Sequence, residues 1–127
     1  MKIVVLVSRL LLGLVFFVFG LNGFLHFIPM KDLPTGLALQ YLTALIQSHY
    51  VLVVSATQLV GGLLLLANRF VPLALALLGP VIVNILCYHL FLAFQGMPIA
   101  AVVAILWFIL FFRYRQNFAG LFVQKAV

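Results

Sequence analysis

From Ile3 to Ile28 the chain is apolar except at Ser8, Arg9, Asn22 and His26. About 20 such residues carry a helix across a bilayer, so the run predicts a first span over residues 3–28. Pro29, Pro34 and the adjacent charges of Lys31 and Asp32 stop it. From Gly36 to Ser48 the pattern changes: Gln40, Thr43 and Gln47 recur at i, i+3 and i+7 among Leu37, Tyr41, Leu42, Leu45 and Ile46. A polar stripe on one side predicts a short helix lying at the membrane interface. Apolar runs over residues 50–67, 71–94 and 98–112 predict three further spans. Asn68-Arg69, Gln95-Gly96-Met97-Pro98 and Arg113-Tyr114-Arg115 bound them, Pro72 and Pro98 fit first helical turns, and Gly79-Pro80 marks a kink.

Composition narrows this to one class. The 127 residues are 68% hydrophobic and 6% charged, with a mean hydropathy of +1.38. A soluble chain of this size lacks the interior for so much apolar surface, and disorder needs the opposite composition. The expectation is therefore all-α: an integral membrane four-helix bundle, residues 1–127 forming a single transmembrane domain. The first run is too long for a cleaved leader, contains Arg9 and lacks an Ala-x-Ala site, so it reads as a retained span.

Charge then sets an orientation. Four spans put both termini and the 67–71 link on one side, with Lys2, Arg9, Arg69, Arg113, Arg115 and Lys125; only Lys31 falls on the other. Six cations against one predict cytoplasmic termini in a multi-pass protein of the cytoplasmic membrane. Arg9 lies near the cytoplasmic end of its span, where a long side chain reaches the interface. Phe118, Leu121 and Phe122 beside Lys125 suggest a tail resting on the inner leaflet.

The same composition removes most chemistry. One carboxylate side chain (Asp32) and one cysteine (Cys87) leave no acid–base pair and no intrachain disulfide. No glycine-rich phosphate loop is present, and no compact basic patch suits nucleic acid despite a net charge of +6. His26, His49 and His89 all fall toward the outer side, but at no metal-ligand spacing, so no metal is expected. They read as interface histidines. No catalytic constellation is visible.

What remains is polar groups at membrane depth. Asn22, Gln58 and Asn84 lie about 10–15 Å below the outer ends of their spans by helical rise. Three amides in one layer suit a lipophilic ligand with a polar head, a quinone for example; the plainer reading is that each bonds a neighbouring helix. His26 is i+4 from Asn22 on one face, whereas His89 is about 140° around the helix from Asn84. Gly13 and Gly20, with Ser55 and Gly62, form small-residue stripes suited to close helix packing. Asn22 lies off the glycine stripe, giving span one a second polar face for a ligand or for a partner, either a second copy or a redox subunit.

The ordered set Arg9-Leu10-Leu11-Leu12-Gly13, Gly20-Leu21-Asn22, Gly61-Gly62-Leu63-Leu64-Leu65, Arg69-Phe70-Val71-Pro72, Gly79-Pro80-Val81-Ile82-Val83-Asn84 and His89 resembles the DoxX family of small four-helix membrane proteins. The family name comes from a thiosulfate:quinone oxidoreductase subunit, and most members have no established activity. The resemblance implies a four-helix fold and a quinone-linked role, as an oxidoreductase subunit if catalytic. Arg9, Asn22, Asn84 and His89 match recurrent family positions; Asn22, Asn84 and His89 with Gln58 make the expected ligand set. The chain departs from sulfur redox chemistry in lacking a cysteine pair. The rival expectation is a non-catalytic membrane scaffold or assembly partner with no small-molecule ligand.

Overall fold

The computed structural model describes residues 2–27 and 33–125, all helix, turn or extended link. Five α-helices follow one another: α1 (Lys2–Leu25), α2 (Gly36–Gln47), α3 (Tyr50–Ala67), α4 (Val71–Phe91) and α5 (Met97–Arg113). Short 3-10 segments at Phe94–Gly96 and Arg115–Phe122 precede and follow α5. Helices α1, α3 and α4, and α5 with its preceding turn, are each long and apolar enough to cross a membrane. Only 22–28% of each span is buried within the protein, so the remaining apolar surface faces outward. Such a surface requires lipid around it.

The helix ends differ from hydropathy where backbone conformation overrides it. The first helix stops at Leu25, three residues short of the expected boundary, because His26 turns to φ 52°. Its N–H still donates to the Asn22 carbonyl at 2.8 Å. Residue 28 and the 29–32 link, including Lys31 and Asp32, lie outside the described residues. Helix α3 covers the expected 50–67; Asn68 closes it in the left-handed conformation, a common C-terminal stop. The third span was expected to reach residue 94, but α4 ends at Phe91 because Ala93 adopts φ −149° and the chain tightens into a 3-10 turn. The last helix runs one residue beyond its expected span at each end.

The four long helices form a ring in the order α1, α3, α4, α5, each against its neighbours in the chain and α5 closing on α1. Helices α1 and α3 are antiparallel and close. A Cβ on Gly13 would lie 3.1 Å from the Gly62 carbonyl oxygen, one on Gly20 2.6 Å from Leu59 N, and one on Gly23 would overlap Ser55. The glycine stripes thus form the α1–α3 seam. Gly61 and Gly62 divide their work: Gly62 meets the α1 backbone, while Gly61 receives Leu78 of α4. Adjacent glycines let α3 approach two helices at once, where dispersion replaces the hydrophobic effect as the driving force.

Short links place the starts of α1 and α4 and the ends of α3 and α5 at one end of the ring. That end carries Lys2, Arg9, Arg69, Arg113 and Arg115; it is the cationic end, and the other carries His26, His49 and His89. Arg9 reaches across to α3, where Nη1 donates to the carbonyl oxygens of Leu65 and, at 3.4 Å, Leu66. It therefore caps the last turn of α3 and opposes its negative dipole end. Trp107 Nε1 donates to the Leu75 carbonyl at 3.0 Å, tying α5 to α4. That carbonyl adjoins the one of Ala76, whose helical donor is missing because Pro80 has no N–H. Trp107 also stacks on Phe111, with centroids 5.1 Å apart, and Phe111 meets Phe118 at the same separation. Phe118 is buried, so the tail folds back on the bundle through this residue, while Leu121 and Phe122 stay exposed.

The fully buried side chains, Leu12, Phe16, Leu65, Leu75, Leu78 and Leu110, belong mostly to the cationic half.

Candidate functional site

Two cavities open in the histidine half. A central one of about 350 Å³ lies among α1, α3, α4 and α5, with Phe16, Phe19, Asn22, Gln58, His89 and Ile99 on its walls. A side cleft of about 330 Å³ lies between α3 and α4 and is covered by α2 through Tyr41, Leu42 and Leu45. Gln58, Asn84 and His89 line this cleft. Tyr41 holds α2 against α4, its ring 5.6 Å from that of Tyr88. Both volumes fall within the range that receives small organic ligands.

The expected ligand set is divided between these spaces. Asn22 lines the central cavity and Asn84 the cleft; Gln58 and His89 line both. Helix α3, which carries Gln58, stands between the other two amides. Asn84 is the most outward of them, exposed on α4 and bordering a groove with Cys87 and Tyr88. His89 was expected to point away from the Asn84 face. The cleft nevertheless reaches both, since it runs along α4 from Pro80 to His89 and is broad enough to touch two flanks of the helix. His26 is exposed just past the end of α1, with φ 52°, and lines neither cavity.

His89 also lines a third space of about 690 Å³ at the histidine end, beneath Leu33–Pro34–Thr35 and the Phe94–Gly96 turn. It therefore stands where the mouth, the cleft and the central cavity meet. Its ring packs directly on Gly96, where any Cβ would collide with it. Its Nδ1 lies 3.0 Å from the Ala93 carbonyl oxygen. A carbonyl only accepts, so Nδ1 carries the proton in that bond. With two carboxamides on the walls of each, both cavities offer donors and acceptors among mostly apolar side chains.

Sequence reasoning passed over Gly96 and Ala93, which fix the His89 ring, and Tyr41, which seats α2. The glycine in the Gln95–Pro98 turn was the available signal for the first pair. Cys87 is exposed on α4. Among the described residues no three His, Cys, Asp or Glu side chains gather in a metal-binding group.

Comparison of the chain with protein-family models, curated proteins and solved structures finds no match. Function is therefore read from the geometry itself.

Proposed function

We propose that this chain is a DoxX-like membrane subunit or accessory of a redox-linked system, holding a lipophilic ligand with a polar head in the central cavity. The observation that carries this reading is the cavity's mixed lining: the polar side chains of Asn22, Gln58 and His89 among the apolar ones of Phe16, Phe19 and Ile99. A quinone has that shape, a ring with carbonyl oxygens on an apolar body. When bound it would supply the electron-transfer chemistry; Gln58 and Asn22 would donate to a carbonyl, and His89 would orient it. The ligand would enter through the mouth beside His89.

In the same reading both termini face the cytoplasm, because the cationic end satisfies the positive-inside rule in a bacterial cytoplasmic membrane. Helix α2 then lies at the outer interface with its Gln40, Thr43 and Gln47 stripe toward water. The test is native mass spectrometry of the whole chain extracted in mild detergent and kept from delipidation. Wild type should carry a stoichiometric quinone mass, and Gln58→Leu should lose most of it. Unchanged quinone retention in both Gln58→Leu and Asn22→Leu would sink the pocket.

One observation favours a second reading, a scaffold or assembly partner. Asn84 is an exposed amide on the outward side of an apolar helix. In lipid such a group is costly unless a neighbour bonds it, so a second copy or a partner subunit would cover it. Asn84→Leu should then dissociate the assembly while leaving any small-molecule adduct in place.

A further inference from the structure

The cationic end holds a cavity of about 640 Å³ bounded by the start of α1 and the ends of α3 and α5. Lys2, Arg9, Arg113 and Arg115 all line it. Asp32 is the only acidic side chain in the sequence and lies outside the described residues, so no carboxylate side chain among the described residues faces these four cations.

Two of them are held in place by bonds that leave donors over. Arg9 uses Nη1 on the α3 carbonyls; a guanidinium has five N–H groups, so Nε and Nη2 remain. Arg115 Nη1 donates to the Phe112 carbonyl at 2.7 Å, with its guanidinium carbon 5.0 Å from the Phe112 ring centroid. Arg113 lies over Tyr114 at 5.4 Å. The arginines thus also neutralise the carbonyl-rich ends of α3 and α5, which would otherwise repel an anion. The planar fork of arginine matches phosphate oxygens in pairs.

Asn68, Tyr114 and Gln116 line it beside the cations, and the rest of the wall is apolar: Val5 and Leu6 of α1, and Ile109 and Phe112 of α5. Leu6 and Phe112 are also exposed on the outer surface of the ring. A charged floor beside an apolar wall that continues onto the outer helix faces has the form of a lipid, head at the interface and chains along α1 and α5. A free anion would use only the first of these.

We propose that this cavity binds the phosphate headgroup of an anionic phospholipid, with its acyl chains along the α1–α5 surface. The site is at the opposite end from the ligand cavities and stands whether or not they hold a quinone. Basic pockets between membrane helices recognise headgroups by this chemistry.

The experiment titrates the whole chain in detergent with phosphatidylglycerol, phosphatidylcholine of the same acyl chains, or inorganic phosphate, and reads adducts by native mass spectrometry. Lys2→Gln and Arg113→Gln remove lining cations without touching a carbonyl cap; Arg69→Gln removes an exposed cation at the same end that does not line the cavity. Phosphatidylglycerol should be retained over phosphatidylcholine. Each lining variant should weaken that retention about five-fold, while Arg69→Gln leaves it unchanged. Equal weakening in all three variants would show diffuse surface charge and overturn the site. Equal retention of the two lipids would overturn it as well. Retention of inorganic phosphate without the lipid would assign the cavity to a free anion and reject the phospholipid.

Discussion

Gly62→Ala is the sharpest test of how α1 and α3 are held together. The new methyl carbon would fall 2.8 Å from the Gly13 carbonyl oxygen, 2.9 Å from Phe16 C, and closer still to Phe17 N. Comfortable carbon contacts begin near 3.5 Å, so the shortfall is about 0.5–1 Å. All three obstacles are backbone, so no rotamer can relieve them and the helices must part. A gap of that size forfeits about a quarter to a half of each contact's attraction along the seam. Overpacking costs about 1–3 kcal/mol, and a rigid obstacle belongs at the upper end; alanine's better helix propensity returns about 1 kcal/mol. The expected net loss is about 2 kcal/mol. Two other glycines calibrate it. At Gly61 the nearest atom is Leu78 Cγ at 2.7 Å, a side chain with some freedom, so Gly61→Ala should cost less. At Gly79 the nearest is Trp107 Cζ2 at 3.4 Å, an ordinary contact, so Gly79→Ala should be neutral or slightly stabilising. Circular dichroism during denaturant titration of the purified protein in mixed micelles measures the series. Equal stabilities for Gly62→Ala and Gly79→Ala would refute a backbone-contact seam.

Substitutions at two further positions examine the other ties. Trp107→Phe keeps a ring against Phe111 but removes the donor to the Leu75 carbonyl, and should lower stability by about 0.6–1.5 kcal/mol in the same titration. A null effect would mean that bond contributes nothing. Arg9→Met uncaps α3; hydrogen exchange at the amides around Leu65 to Asn68 should speed up, with a loss of about 1.5–3 kcal/mol, whereas Arg9→Lys should retain part of the protection. Unchanged exchange in Arg9→Met would remove the capping role.

The spans were legible because apolar runs of membrane length have few alternative readings, and the α3 boundaries were legible because Asn68 and Arg69 interrupt the run abruptly. The ends of α1 and α4 were not. Phe27 and Phe94 are as apolar as the helices before them, and the turns are made by the backbone at His26 and Ala93. Depth could be counted from helical rise, so the amides were placed in one layer. Which cavity each amide enters depends on how the helices are rotated and where α2 lies, and one chain's periodicity does not carry that. Arg9 shows the same limit. Its position near a span end was readable as snorkelling, whereas its bonds to Leu65 and Leu66 depend on the register of two antiparallel helices and join residues 56 and 57 apart in sequence. The cations of the cavity at that end were all visible, but as a count that sets orientation they gave no sign that four of them converge.

Gln58 belongs to two walls, and an amide takes one rotamer at a time. A molecule in the central cavity that draws its carboxamide inward removes a polar partner from the cleft, and the reverse holds. With both spaces occupied, they would be thermodynamically linked through this side chain, as through His89 that they also share, each occupant changing the other's affinity by about the worth of one hydrogen bond. A binding curve measured at either space would report the state of both.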